Sequence, residues 1–148
     1  MRPLRQLTAI GVISLAAAAA TYAIKGPPLR RLICDPASLK ADEVCLSQIP
    51  ATARTLWVDA RSRLAWQQSG VPGSVLWNLD PTEDMQAFEA DVALHIVDTP
   101  QVIVYCSDEN CGVSHQVADR IRKLQLGAQV SVLQGGWRAL NEAGLTRR

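Results

Sequence analysis

The chain has 148 residues and a formal net charge of +1, and this length is typical of a single domain. Because the charge is near zero and no strongly basic cluster stands out, the composition argues against a nucleic-acid partner. Four cysteines are too few for a small fold built on disulfides, and an apolar share of 48% is sufficient for a buried core.

The N-terminus differs in composition from the rest of the chain. Residues 1–6 carry Arg2 and Arg5, and Leu7–Ile24 then contains no charged residue. A basic start followed by an uncharged segment is typical of a secretory signal or an N-terminal membrane anchor, and a buried core helix is the alternative. Basic residues also follow the segment, so its orientation in a membrane stays open.

A linker is expected over residues 25–32, because Gly26, Pro27 and Pro28 favour extended backbone over helix. The remaining residues, 33–148, are expected to form the folded domain. We predict that this domain is membrane-anchored or exported, on the periplasmic side of the inner membrane if the source is a bacterium.

The first half of the domain alternates helical patterns with short apolar runs. The stretch 34–49 predicts a helix with Asp35 as its N-cap and Pro36 at its first position. The elements expected next are a strand over 55–60, one or two helical turns over 61–68, a turn over 70–74, a strand over 75–79, and a helix over 81–96 capped by Asp80 or Thr82.

The second half continues the alternation. Residues 101–106 form the most apolar strand, and 112–127 predict a helix with an apolar face that ends at Gly127. A strand over 128–134 and a turn with a short helix over 135–144 follow. This order predicts an α/β fold with a mainly parallel sheet flanked by helices on both faces. Ligands of such sheets bind beyond the carboxyl ends of the strands, which is where Cys106 lies.

Five motifs in this order resemble the rhodanese domain family. They are Leu56–Arg61, Val71–Ser74, Val102–Cys106, a helix opened by Ser114, and Val132–Leu140. The resemblance covers roughly residues 33–145. It implies an α/β domain in which a cysteine at the start of the active-site loop accepts a sulfane sulfur, becomes a persulfide, and passes the sulfur to a thiol acceptor.

The resemblance also implies roles for particular residues. Cys106 matches the catalytic nucleophile, Asp59 and Arg61 match supporting residues, and Gly135–Trp137 match the motif after the last strand. The active-site loop and its helix start then consist of Ser107, Asp108, Glu109, Asn110, Cys111, Gly112, Val113 and Ser114. We expect neither a cofactor nor a metal ion.

The chain departs from the family pattern at two places. Gly70 stands where many rhodaneses have a histidine, and seven residues rather than five separate Cys106 from Ser114. None of the seven is Arg or Lys, and Asp108 and Glu109 are acidic. Carboxylates near a thiol raise its pKa and repel dianions, so thiosulfate and phosphate are expected to be poor substrates.

The position of Cys106 also indicates a reactive thiol without reference to any family. A thiol near a helix start faces backbone N–H groups that lack intrahelical partners, and these groups stabilise the thiolate. A small buried hydrophobic residue at the end of a strand is the structural alternative.

The other cysteines leave several interpretations open. Cys111 is a candidate resolving thiol, a loop staple in an oxidising compartment, a metal ligand with Cys106 and His115, or an inert thiol. For His115 an exposed polar residue is the simpler expectation. Cys34 and Cys45 lie roughly 16 Å apart along a straight helix, so they pair only if that segment bends.

Two classes of function follow. The first is a sulfurtransferase, or a related thiol-redox enzyme, that uses a Cys106 persulfide with a sulfane-sulfur donor and a thiol acceptor. The second is a catalytically weak rhodanese-like module that binds a partner or senses redox state. The acidic loop without a basic residue favours the second class.

Overall fold

Five parallel strands form the centre of the domain. The structure is a computed structural model that describes residues 34–107 and 112–147; the predicted segments 1–6, 7–24 and 25–32 lie outside this range and stay predictions. The strands lie in the order β1-β5-β4-β2-β3, and every neighbouring pair is parallel. They are β1 (Glu43–Val44), β2 (Thr55–Asp59), β3 (Val75–Leu76), β4 (Gln101–Tyr105) and β5 (Gln129–Leu133).

Helices connect the strands and cover the sheet. They are α1 (Arg63–Ser69), α2 (Met85–Ile96), α3 (Gly112–Lys123) and α4 (Gly136–Glu142). Their order confirms the predicted α/β alternation, and α1, α4 and β2 lie close to their predicted ranges. Ser62 caps α1 by accepting a hydrogen bond from the Ala65 N–H, which fits the preference for serine at this position.

The core consists of two apolar layers, one on each face of the sheet. Along β4, Val102 and Val104 belong to one layer, while Ile103 and Tyr105 belong to the other, as the side-chain period of a strand requires. Buried residues of α2 and α3 complete the first layer, and Leu140 of α4 joins the second. Helices therefore lie on both faces, as predicted, and β4 is buried on both sides.

The helix predicted over 34–49 is wrong. Two short 3₁₀ turns, Pro36–Ser38 and Leu46–Gln48, lie on either side of β1 instead, although Asp35 does cap the first turn by accepting from the Ala37 N–H. β1 is held at the sheet edge, where the Val132 N–H donates to Asp42 and the Gln134 N–H to Val44. This long-range pairing outweighs the local helical pattern.

Because the segment 34–49 is not a straight helix, two of its cysteines can pair. Cys34 and Cys45 form a disulfide with their Cα atoms 5.7 Å apart, whereas a straight helix would hold them roughly 16 Å apart. Cys45 is fully buried. The disulfide therefore fastens the start of the domain to the interior next to β1.

Three element boundaries also differ from the prediction. α2 begins at Met85, because the Asp84 carboxylate accepts from the Gln86 and Ala87 N–H groups, and Asp80 instead bonds Thr82 in the preceding turn. β3 ends at Leu76 rather than residue 79. α3 ends at Lys123, and Gln125, with φ of 53°, adopts a left-handed backbone before Gly127 does.

Within residues 34–107 and 112–147, no helix is both long enough and apolar enough to cross a bilayer.

Candidate functional site

Cys106 immediately follows β4, which lies between β5 and β2 in the sheet. Its side chain belongs to the same apolar layer as Val104, and the residue is only 1% exposed. It is disulfide-bonded. The sequence thus correctly places this sulfur at the carboxyl edge of the sheet.

The loop after Cys106 is described only at its two ends. Ser107 is exposed, and Asp108, Glu109, Asn110 and Cys111 lie outside the described residues. Gly112, Val113 and Ser114 are the first three residues of α3. Ser114 therefore does not open the helix, which begins two residues earlier, and Ser114 is buried on its first turn.

Asp59 and Arg61 form a buried ion pair at the carboxyl end of β2. The Arg61 Nη2 lies 2.7 Å from Asp59 Oδ2, and its Nε lies 3.0 Å from Oδ1. Asp59 also accepts from the backbone N–H of Arg61 at 3.0 Å. The two side chains are 0% and 7% exposed, so each charge depends on the other for its stability in the interior.

Two aromatic rings flank the Arg61 guanidinium. Its carbon lies 5.1 Å from the centroid of Trp137 and 5.8 Å from that of Tyr105, within the range of cation–π attraction. Tyr105 directly precedes Cys106, and its hydroxyl accepts from the Val71 N–H at 3.1 Å. Burial, together with the negative charge of Asp59, raises the pKa of Tyr105 to about 12, so this hydroxyl stays neutral and available for hydrogen bonding.

Gly70 has no space for a side chain. A Cβ built there would lie 2.6 Å from the Trp66 carbonyl oxygen and 2.9 Å from the Trp66 ring. The turn is closed on both sides, since the Gly70 N–H donates to Trp66 and its carbonyl accepts from the Arg147 N–H. The packing of Trp66 against this position therefore leaves room only for glycine where the related pattern has histidine.

His115 does not fit the simple expectation of an exposed polar residue. Its Nδ1 lies 3.0 Å from Asp42 Oδ2 and its Nε2 lies 3.2 Å from Glu43 Oε1, and only 26% of the side chain is exposed. Lys40 also faces Glu43, and Arg122 faces both Asp42 and Asp119. The imidazole thus joins the first turns of α3 to the edge strand β1.

The two carboxylates respond electrostatically to this environment. Burial raises the pKa of Asp42, but the hydrogen bond and charge of His115, with the more distant Arg122, lower it below 3.8 overall. Burial likewise opposes the shift at Glu43, while Lys40 and His115 lower the pKa of that carboxyl below 4.5. Both carboxylates are therefore ionised near neutral pH, where they face the two ring nitrogens of His115.

Replacing His115 by glutamine is expected to lower the free energy of unfolding by less than about 1 kcal/mol, as is typical of partly exposed ion pairs. A lowered folded-state pKa stabilises the fold above the unfolded pKa, and this stability is lost as the pH falls through the folded value. The difference between native and His115→Gln proteins should therefore be present at pH 5–6 and be lost as the pH falls through the lowered folded-state pKa values of Asp42 and Glu43.

Urea denaturation at a series of pH values measures this effect. His95→Gln is the matched control, because His95 pairs with Asp91 within α2 and is half exposed. A difference between the native and His115→Gln proteins that persists unchanged at pH 2–3 would contradict the assignment.

Among the residues that the structure describes, no group of three or more His, Cys, Asp or Glu side chains is arranged to hold a metal ion. His115, which the sequence offered as a ligand beside Cys106 and Cys111, instead contacts the carboxylates of Asp42 and Glu43 at the start of β1.

The geometry and the sequence pattern define the family. The family model of the rhodanese-like domain matches residues 44–143, which is more than half of the chain. The protein therefore belongs to the rhodanese-like domain family. No curated protein matches the chain.

Several solved structures match this chain at low sequence identity. A thiosulfate sulfurtransferase from Pseudomonas aeruginosa is 18% identical, with a TM-score of 0.51 over 73% of this chain and 19% of that chain. The As-Sb reductase from Leishmania major is 16% identical, with a TM-score of 0.49 over 63% of this chain and 70% of that one. The BH2092 protein from Bacillus halodurans is 23% identical, with a TM-score of 0.44 over 60% of this chain and 61% of that one. The protein thus spans less than two thirds of BH2092 and about a fifth of the sulfurtransferase.

The site includes contacts that the sequence did not predict. The bridge from His115 to Asp42 joins residues 73 positions apart, and the Trp137 N–H donates to the Cys106 carbonyl at 2.6 Å. The first depends on the position of β1, which was predicted as helix. The only signal for the second was the shared family motif at Gly135–Trp137, which indicated proximity to the site but no particular bond.

Proposed function

We propose that the protein is a sulfurtransferase, or a closely related thiol-redox enzyme, that works through a persulfide on Cys106. The observation that carries this proposal is the place of Cys106 in a rhodanese-like domain. It directly follows the central strand, β4, and opens the loop that leads into α3. This is the edge of a parallel sheet at which ligands bind, and a thiolate there is adjacent to a helix start that favours negative charge.

The first step is transfer of a sulfane sulfur. The reduced Cys106 thiolate attacks the outer sulfur of a donor R–S–SH, the donor S–S bond breaks, and RS⁻ leaves with its electron pair. Cys106 then carries an outer sulfur as a persulfide, which is an anion that backbone N–H donors stabilise. Attack on that outer sulfur by an acceptor thiolate delivers it and restores the Cys106 thiolate.

Cys111 fits the role of a resolving thiol. The chain has four cysteines, and Cys34 and Cys45 are paired, so Cys111 is the one remaining partner within the chain for Cys106. Attack by the Cys111 thiolate on the inner sulfur of the Cys106 persulfide would form a Cys106–Cys111 disulfide and release HS⁻. An external dithiol, itself oxidised to a disulfide, would then return both residues to thiols.

A redox-sensing module is the second candidate. It is favoured by the nearly complete burial of Cys106, which is only 1% exposed, and by the acidic residues that follow it in the sequence. In that role the reversible disulfide itself is the signal, and sulfur transfer is weak or absent. Formation of a persulfide by the reduced protein separates the two candidates.

The function is tested by offering different sulfur donors to the reduced protein. We predict weak transfer from thiosulfate and better transfer from polysulfide or a low-molecular-weight persulfide. The reason is that Ser107 to Val113 include two acids and no base. One unit charge about 6 Å from a dianion in a water-like dielectric costs about 1.4 kcal/mol, which corresponds to about tenfold in rate.

Mass spectrometry of the intact chain measures the added sulfur, with Cys106→Ser as the blank. The variant that combines Asp108→Asn with Glu109→Gln should use thiosulfate at least about tenfold better than the native chain. A native protein that uses thiosulfate as its best donor would refute the electrostatic argument. A native protein that acquires no sulfur from any donor would leave the redox module as the function.

The protein is also proposed to act outside the cytoplasm, tethered to or released from the inner membrane. Two observations support this: the uncharged segment Leu7–Ile24 behind a basic start and the Cys34–Cys45 disulfide, which persists best in an oxidising compartment. Fractionation of cells that express a C-terminally tagged chain should recover it from the membrane or the periplasm. Full-length protein with an intact N-terminus in the soluble cytoplasm would contradict this proposal.

A further inference from the structure

The turn before α4 brings Trp137 to the nucleophile. Gly135 and Gly136 have φ values of 81° and 51°, a left-handed conformation that glycine adopts without strain. These two residues redirect the chain after β5, so that the Trp137 N–H donates to the carbonyl oxygen of Cys106 at 2.6 Å. The carbonyl of the peptide unit between Cys106 and Ser107 is therefore bound by the first turn of α4, which follows the neighbouring strand β5.

The side chain of Trp137 is fixed at its other end. Its Nε1 donates to the carbonyl oxygen of Ser69 at 2.7 Å, and its ring faces the Arg61 guanidinium at 5.1 Å. Arg61 is itself bound to Asp59 and donates to the Ser69 hydroxyl at 3.2 Å. Trp137 thus connects the end of α1 and the buried ion pair to the residue that begins the active-site loop.

We infer that Trp137 is a positioning residue for Cys106. The inference rests on the proposed function, in which Cys106 is the reacting thiol. Trp137 acts through the Cys106 peptide unit, because that unit sets the direction in which the chain enters the loop. A displacement of about 1 Å in such a group can slow a reaction about a hundredfold, and misdirected backbone donors stabilise a thiolate less well.

The test compares Trp137→Ala with Trp137→Phe in the full chain carrying Cys111→Ser. The rate of Cys106 alkylation by iodoacetamide is followed from pH 5 to 10, with the modified residue identified by mass spectrometry. Trp137→Ala should move the midpoint of this profile upward by about one pH unit, which corresponds to a tenfold smaller thiolate fraction at neutral pH. Trp137→Phe keeps a ring beside Arg61, so its midpoint should lie close to that of the parent chain.

Trp66→Ala is a closely matched control. The Trp66 Nε1 donates to the Ser74 carbonyl at 3.1 Å, and the Arg147 guanidinium lies 5.6 Å from its ring. This variant therefore loses the same kinds of contact as Trp137→Ala, and its thermal stability is measured in parallel. The alkylation midpoint of Trp66→Ala should equal that of the parent chain.

An unchanged midpoint in Trp137→Ala would overturn the inference, whatever happens to the plateau rate or to stability, and so would an equal shift in Trp66→Ala. Alkylation requires no sulfur donor, so this test is separate from the test of the proposed function. A parent chain that forms no persulfide refutes that function and leaves the midpoint comparison interpretable. If persulfide forms, Trp137→Ala should also lower kcat at least about tenfold with little change in KM.

Discussion

Replacing Asp59 by asparagine is expected to lower the free energy of unfolding by about 3–5 kcal/mol. Asparagine has nearly the shape of aspartate but no charge, so the variant leaves the Arg61 cation in the interior without its counter-ion. The Arg61 side chain is 7% exposed and receives little compensation from water. Urea denaturation under non-reducing conditions, which preserve the Cys34–Cys45 disulfide, measures the loss.

Two further variants separate burial from the mere loss of an ion pair. Asp59→Asn combined with Arg61→Met removes both charges and should recover much of the stability, since apolar residues often replace a buried pair well. Glu83→Gln breaks an equally short contact, 2.6 Å between Arg63 Nη2 and Glu83 Oε2, but the Arg63 side chain is 47% exposed. It should change stability little. Equal losses in Asp59→Asn and Glu83→Gln would show that burial is not the cause.

The strands beside the Asp59–Arg61 ion pair show why much of the fold follows from the sequence. The apolar runs over 55–60 and 101–106 predict two buried strands of a parallel sheet, because such strands are covered by apolar residues on both faces. In the structure Asp59 pairs in register with Tyr105. The carboxyl ends of the two runs therefore meet at one edge of the sheet. The sequence predicted this edge from the parallel strands, and the structure adds that β2 and β4 are neighbours.

Contacts that depend on a bend in the chain could not be predicted in this way. The stretch 34–49 has a helical pattern and a good helix start at Asp35, yet it contains the edge strand β1. A two-residue strand has almost no periodic signal, and the partners that hold it in place, β5 and the Cys34–Cys45 disulfide, act across the fold. The carboxylates that bind His115 lie on this segment, so the bridge was not predicted either.

Replacing Cys106 by serine is expected to abolish persulfide formation completely, whereas Cys111→Ser should retain it. A serine hydroxyl is not ionised near neutral pH and forms no persulfide, so loss of the reacting thiol cannot be compensated nearby. Cys111→Ser instead removes the proposed resolving thiol, and the persulfide on Cys106 should accumulate. Mass spectrometry of each reduced variant after exposure to a persulfide donor measures both results.

Oxidation by peroxide is a second test of the roles of Cys106 and Cys111. A thiolate is oxidised first to a sulfenic acid, and a neighbouring thiol then condenses with it to a disulfide before further oxidation can occur. The native protein should therefore stop at a reversible disulfide, while Cys111→Ser should proceed to the irreversible sulfinic acid at Cys106. Alkylation mapping at graded pH should label Cys106 before Cys111, since Cys106 directly follows the central strand and its carbonyl accepts a hydrogen bond from the Trp137 N–H. If Cys111 is labelled first, or if Cys106→Ser still carries sulfur, then Cys106 is not the nucleophile, and the domain is better explained as a module that binds a partner.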